Sequence, residues 1–208
     1  NPDGSLFYNE FQVSGTLGLY NRGLATLNNG KNTNDVFSVF EGSDTDGRGI
    51  FGQPFFGVGT SGAGEFLIPY EEIGNQVNPE VSVTNPDSTD LATLVVVFED
   101  RDCEGGCSNI IEYTYRKPNQ NSESLFMQHL ENRVIQEWST NLSYHNPTVL
   151  GLSDNSYAVA FEEYDASTNL MKLIAIRCTP RQNDGGPGCR PKGYGSTWPR
   201  YFPNHSST

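Results

Sequence analysis

The sequence predicts an all-β protein, and three observations support this prediction. Turn-forming residues are frequent, with 22 Gly and 12 Pro among 208 residues. The 12 Phe and 10 Tyr suit half-buried strands. Apolar residues come in short runs bounded by Gly, Asn, Asp and Pro, and no run approaches the ~20 residues of a membrane-spanning helix. We therefore expect many short strands and no membrane insertion.

A threefold internal repeat organises the chain. Its clearest anchor is an apolar run that ends in Phe-Glu, and this run recurs at residues 36–41, 94–99 and 157–162. Each run follows an Asn and a short strand, and another strand comes after it through a loop of hairpin length. Strands that recur every ~55 to 65 residues are typical of β-meander units stacked on one another, as in propeller blades.

We expect three antiparallel four-stranded β-meander units in an incomplete, propeller-like arrangement. The alternative is an immunoglobulin-like β-sandwich completed by a donated strand. Strands at 10–13 and 65–68 are expected to open the first two units, and 132–135 the third, whereas 124–130 fits either a short helix or a strand. The predicted boundaries are an N-terminal arm at 1–15, units at 16–64, 65–131 and 132–184, and a C-terminal tail at 185–208.

Residues 36–97 resemble a known kind of repeat through the segments VFSVFEGSDTDGRGIFGQPF, EFLIP and NQVNPEVSV. They are similar to repeats of roughly fifty residues that occur in tandem in large bacterial and protist surface or adhesin-like proteins. Pro54 departs from the pattern, since those repeats carry a basic residue there. The resemblance implies a repeat architecture and a cell-surface location, and it carries no activity.

Charge and cysteine spacing restrict the partners and the compartment. The formal net charge of -12 opposes binding to nucleic acid or to anionic lipid surfaces. The four cysteines form two close pairs, Cys103 with Cys107 and Cys178 with Cys189, whose spacing fits disulfides better than zinc. Of three connectivities, pairing between neighbours is favoured. Disulfides indicate an oxidising compartment, so we expect a secreted, extracellular protein of a cell-surface appendage.

Two N-glycosylation acceptors, Asn141 and Asn204, are consistent with a secreted glycoprotein, although such triplets also arise by chance. The chain begins at Asn1 without an initiator Met or an apolar signal segment. It is therefore expected to be a processed product or an excerpt.

Candidate catalytic and metal-binding residues are few. Glu41, Glu99 and Glu162 end equivalent strands, and a residue that every unit requires is expected to cap a loop or hold a turn. We therefore expect no enzyme, and no histidine is paired by pattern with a nucleophile. Asp44 and Asp46 alternate before a glycine, which predicts a calcium site, with a solvated hairpin loop as the alternative. No other cofactor is expected.

Assembly is the function that these observations favour, because three units leave unpaired sheet edges. We expect a structural subunit of a cell-surface fibre or pilus-like assembly, a homopolymer of copies of the chain. Strand donation is one route. The expected donor strand lies in the arm and comprises Leu6, Phe7, Tyr8, Phe11 and Val13. The alternatives are a carbohydrate-binding or adhesive module that uses Trp138 or Trp198, and a secreted glycosidase.

Overall fold

A computed structural model describes residues 20–28, 34–45, 47–56, 60–61, 64–68, 74–85, 93–101, 108–116, 128–136, 139–180 and 189. Every regular element in these ranges is a β-strand, which confirms the all-β prediction. The strands form three open antiparallel sheets that follow one another along the chain. Within these ranges, the structure contains no helix of the length and apolar character needed to cross a bilayer.

The first sheet contains five strands. Its main strands are β1 (Tyr20–Asn28), β2 (Asn34–Ser43) and β3 (Arg48–Phe56), which pair in that order. Two short strands, β4 (Thr60–Ser61) and β5 (Phe66–Leu67), both pair with β3.

The second and third sheets are simple meanders. The second contains β6 (Gln76–Thr84), β7 (Thr93–Asp100), β8 (Asn109–Arg116) and β9 (Gln128–Gln136), in that order. The third contains β10 (Leu142–Gly151), β11 (Tyr157–Asp165) and β12 (Leu170–Cys178). All neighbouring strands are antiparallel, as hairpin-length connections require.

Two expected opening strands belong to the preceding sheet instead. Residues 65–68 were expected to open the second unit, but β5 pairs with β3 of the first sheet. The Ile68 N–H donates to the Ile50 carbonyl at 2.8 Å, and the Ile68 side chain is buried there. Residues 132–135 were expected to open the third unit, but they lie in β9 and pair with β8. The sheets therefore have five, four and three strands rather than four each.

The three sheets stack face to face. We call the face that carries the Glu of each Phe-Glu pair the back face, and the opposite one the front face. The back of the first sheet packs on the front of the second, for example through Phe37 and Val39 against Val96 and Phe98. The back of the second sheet packs on the front of the third in a separate core. The second sheet is therefore covered on both faces, and Leu94 to Phe98 of β7 are all fully buried.

Candidate functional site: a Glu–Asn network between the sheets

The first strand of each sheet carries an irregularity at an asparagine. The pairing register shifts between Tyr20 and Arg22, between Val77 and Glu80, and between His145 and Thr148. Within the last two irregularities, Asn78 and Asn146 have left-handed backbones, with φ of 54° and 50°. Asparagine tolerates this conformation better than most residues do. The turned backbone directs the Asn N–H away from its own sheet.

Each of these N–H groups donates to a glutamate of the preceding sheet. The Asn78 N–H reaches Glu41 Oε1 at 2.7 Å, and the Asn146 N–H reaches Glu99 Oε1 at 2.6 Å. Both carboxylates are completely buried. The same pair of residue types thus fastens the first sheet to the second and the second to the third.

The asparagine side chains extend this network within each sheet. Asn78 Nδ2 donates to Glu99 at 2.6 Å, and Asn146 Nδ2 donates to Glu162 at 2.8 Å. Asn78 Nδ2 also lies 3.3 Å from Asn146 Oδ1. Glutamate and asparagine therefore alternate across all three sheets. We call these five residues, Glu41, Asn78, Glu99, Asn146 and Glu162, the Glu–Asn network.

Electrostatics hold Glu99 in its charged form. Burial raises the pKa of its carboxyl, but hydrogen bonds outweigh burial and lower the pKa to about 2. The donors are His145, the Asn146 N–H, the Asn78 amide and Arg101. Arg101 is the charged partner, with Nη2 2.8 Å from Glu99 Oε2. At Glu41, Arg48 Nη1 lies 3.4 Å from Oε2.

The network therefore joins sheets. Sequence reasoning identified Glu41, Glu99 and Glu162 as equivalent, with a role in capping a loop or holding a turn. For Glu41 and Glu99 the structure gives a different role, since each accepts a hydrogen bond across a sheet interface. The asparagines were seen only as markers that precede strands.

Ser143, His145 and Glu99 lie within reach of one another, an arrangement that the sequence pattern did not indicate. Ser143 Oγ is 2.9 Å from His145 Nε2, and His145 Nδ1 is 3.4 Å from Glu99 Oε2. However, Nδ1 is closer to Ser108 Oγ, at 3.1 Å, and Glu99 is closer to Arg101. Ser143 is also only 9% exposed. The geometry is that of a packed polar network rather than of an accessible nucleophile.

The loop expected to bind calcium is described in part. Asp44 Oδ1 accepts the Gly47 N–H at 2.8 Å, so one oxygen of this carboxylate already holds the hairpin turn. The Asp44 N–H in turn donates to the Gly47 carbonyl at 3.3 Å. These two contacts favour the hairpin-loop interpretation at Asp44. Asp46 lies outside the described residues, and the calcium site stays a prediction.

One of the two expected disulfides is described, and it joins Cys178 to Cys189. Cys178 is buried in the core between the second and third sheets, near the carboxylate of Glu112. The bond occupies both thiols, so these three residues do not form a thiolate metal site. Glu112 instead accepts a hydrogen bond from the Tyr157 hydroxyl at 2.6 Å. Cys103 and Cys107 lie outside the described residues.

The remaining predicted residues fall mostly outside the described ranges. Asn141 is exposed in the turn before β10, and its modification stays a prediction. The others lie outside the described residues: Asn204, Trp138, Trp198, and Leu6, Phe7, Tyr8, Phe11 and Val13 of the arm.

The back face of the third sheet is exposed. Leu150 is 62% exposed, Leu173 63% and Met171 53%. The equivalent face of the second sheet carries Val95 and Val97, which the third sheet covers completely. Glu162, the last residue of the Glu–Asn network, lies on this exposed face and is partly buried.

Among the described residues, these features define a class of protein, an all-β stack of open sheets that is joined by buried carboxylates and has an exposed apolar face at one end. Comparison with protein-family models, with curated proteins and with solved structures finds no match. The resemblance to tandem surface repeats therefore stays a prediction.

Proposed function

We propose that the protein is an extracellular structural subunit that assembles with copies of itself into a cell-surface fibre or pilus-like structure. The exposed back face of the third sheet is the observation that carries this proposal. Leu173 on this face corresponds in position to Ile50 of the first sheet and Ile110 of the second, which are both completely buried at the internal interfaces. A sheet with one apolar face normally buries that face against another layer, and exposed apolar patches often mark interaction sites.

Two further observations support association over ligand turnover. The carboxylates of Glu41 and Glu99 are buried and engaged in holding sheets together, which leaves them out of contact with any substrate. The Cys178–Cys189 disulfide favours an oxidising, extracellular setting. Neither a glycan-binding surface nor a glycosidase site is favoured by a contact among the described residues.

The proposal can be tested by measuring the molar mass of the purified protein as a function of its concentration. The purified chain should grow from monomer to larger species as its concentration rises, in light scattering coupled to size exclusion. Electron microscopy should show defined particles or fibres. A chain that stays monomeric at every concentration would contradict the proposal.

A matched pair of variants locates the contact. Leu150→Asp places a charge on the exposed back face and should abolish growth. Val134→Asp places the same charge on β9, where Val134 is similarly exposed at 51%, and should leave assembly unchanged. Equal effects of the two variants would mean that charge alone, rather than this face, controls association.

A further inference from the structure

The same hydrogen bond is found at both internal interfaces, and the third sheet carries a glutamate that could form it again. In each interface a back-face glutamate accepts the N–H of an asparagine at the irregularity of the next sheet's first strand. Glu162 holds the same position on β11 that Glu41 holds on β2 and Glu99 on β7. Among the described residues it accepts only the Asn146 side chain, through Oε2. At Glu99 a single oxygen accepts both the Asn78 side chain and the Asn146 N–H, so Oε2 of Glu162 is the oxygen that a following asparagine would reach.

The first sheet carries the complementary element. Its first strand also shifts register, between Tyr20 and Arg22, and Tyr20 pairs with Glu41 as Val77 pairs with Glu99, which places Asn21 at the position of Asn78. Those two asparagines each use the backbone N–H to reach a preceding sheet. In the described part of the chain no sheet precedes β1, so Asn21 has no such glutamate there.

Apolar side chains at the two ends match as well. Leu24 pairs with Ser38 on β1 and β2 as Val81 pairs with Val96 on β6 and β7. Leu24 is 63% exposed, whereas Val81 is buried against the preceding sheet. At the other end, Leu150 is exposed, whereas its counterpart Ala25 is buried against the following sheet. Leu24 on the front face of the first sheet and Leu150 on the back face of the third are thus exposed, whereas their counterparts are buried by a neighbouring sheet.

We infer that a second copy of this chain docks head to tail, with β1 of one copy lying across β10–β12 of the other. The Asn21 N–H donates to Glu162, and Leu24 packs onto the back face near Leu150. The inference rests on the proposed function and specifies its contact. Phe40 and Phe55, elsewhere on the front of the first sheet, are already buried, so that copy contributes mainly β1. Such a contact is heterologous and either closes into a ring or extends into a filament.

Complementation between two variants tests this arrangement. Leu24→Asp disrupts the docking surface on β1 and leaves the back face of the third sheet intact. Leu150→Asp disrupts that back face and leaves β1 intact. Each variant alone should be monomeric. An equimolar mixture should form a one-to-one dimer through its single intact interface and grow no further. Both leucines are exposed, so both variants should retain the native circular dichroism spectrum.

A second pair of variants examines the hydrogen bond itself. Glu162→Gln replaces the charged carboxylate that accepts the Asn21 N–H with a neutral amide, and it should weaken association about tenfold or more. Glu163→Gln changes the neighbouring carboxylate, which pairs with Lys172 at 3.0 Å, and should leave association unchanged. Equal effects of the two variants would overturn the assigned contact.

The outcomes separate the inference from the function on which it rests. A native chain that stays monomeric contradicts both. A native chain that assembles, together with a Leu24→Asp variant that assembles equally well, overturns the head-to-tail contact alone. Failure of the mixed variants to associate, when the native chain does, also overturns the contact alone.

Discussion

The first three strands of the second sheet are equivalent to the three strands of the third sheet, but the two sheets have different surroundings. In the second sheet, Val95 and Val97 of β7 are completely buried, and Glu99 is surrounded by four hydrogen-bonding residues. In the third sheet, the equivalent positions are Ala158, Ala160 and Glu162, all of them partly exposed. The comparison shows that the repeated sequence pattern determines where a strand forms. Whether its glutamate is buried depends on the presence of a following sheet.

Removing the charge of Glu99 should have the largest effect on folding. Glu99→Gln leaves Arg101 without its carboxylate partner and disturbs the hydrogen bond from the Asn146 N–H. Breaking a buried ion pair costs about 3–5 kcal/mol, and we expect a loss toward the lower end because the Arg101 side chain is 47% exposed. Glu162→Gln, at the equivalent position, should cost less than about 1 kcal/mol. Urea unfolding of both variants measures the difference, and equal losses would remove the contrast between the sheets.

Acid should selectively destabilise the interface that contains Glu99. Its pKa is lowered to about 2 in the folded protein from an ordinary value of 4.5. The unfolded chain therefore binds this proton first as the pH falls, and stability is lost between about pH 4.5 and pH 2. The shift corresponds to a loss on the order of 3 kcal/mol.

Urea midpoints of the native chain and of Glu99→Gln, measured across this pH range, isolate the contribution of Glu99. The variant lacks the titrating group, so its stability should fall less steeply. Parallel curves for the two proteins would show that Glu99 is not the group responsible.

The disulfide should stabilise the end of the third sheet by a smaller amount. Cys178 and Cys189 are 11 residues apart, so the bond closes a short loop. A loop of this size is worth about 2–3 kcal/mol through the restricted unfolded chain. The double variant C178A/C189A should unfold at correspondingly lower urea. Adding reductant should lower the stability of the native chain more than that of the variant, and equal shifts would exclude this bond as the cause.

Gly151 should be sensitive to substitution, because its backbone lies close to that of a neighbouring sheet. A Cβ added to Gly151 would collide with the carbonyl group of Val83 on the neighbouring sheet. Because backbone atoms cannot rotate away, Gly151→Ala should cost about 1–3 kcal/mol. Gly64→Ala is the matched control, since a Cβ there meets nothing within 4 Å. Thermal melting of the two variants measures the contrast, and equal melting temperatures would contradict it.

The strands that contain the Phe-Glu runs could be predicted from sequence because their signal is local. Residues 94–99, for example, combine β-branched and apolar side chains with a terminal Glu, and they form β7 as expected. Sheet membership of β5 and β9 could not be predicted. The local sequence of each strand is compatible with pairing to the preceding or to the following sheet. Tertiary contacts, such as the hydrogen bond from the Ile68 N–H to the Ile50 carbonyl, determine which sheet the strand joins.

The Glu–Asn network could not be derived from the sequence for a different reason. Its cross-sheet hydrogen bonds join residues 37 and 47 positions apart, and nothing in one sequence reports such distances. A partial signal existed in the Asn-Pro dipeptides at 78–79 and 146–147, since Asn tolerates a left-handed backbone. The pairing of that Asn with the glutamate of the previous unit depends on how the sheets stack.

The double-sided burial of β7 has a consequence for how the molecule melts. When β6–β9 come apart, both neighbouring sheets lose their apolar partner in the same event. When the third sheet detaches, only one interface is lost. In linear arrays of this kind, stability is approximately a sum over units and nearest-neighbour contacts. Fraying should therefore start from the first or the third sheet, each of which has one internal interface, and backbone amides of β7 should exchange with solvent only through cooperative, global unfolding.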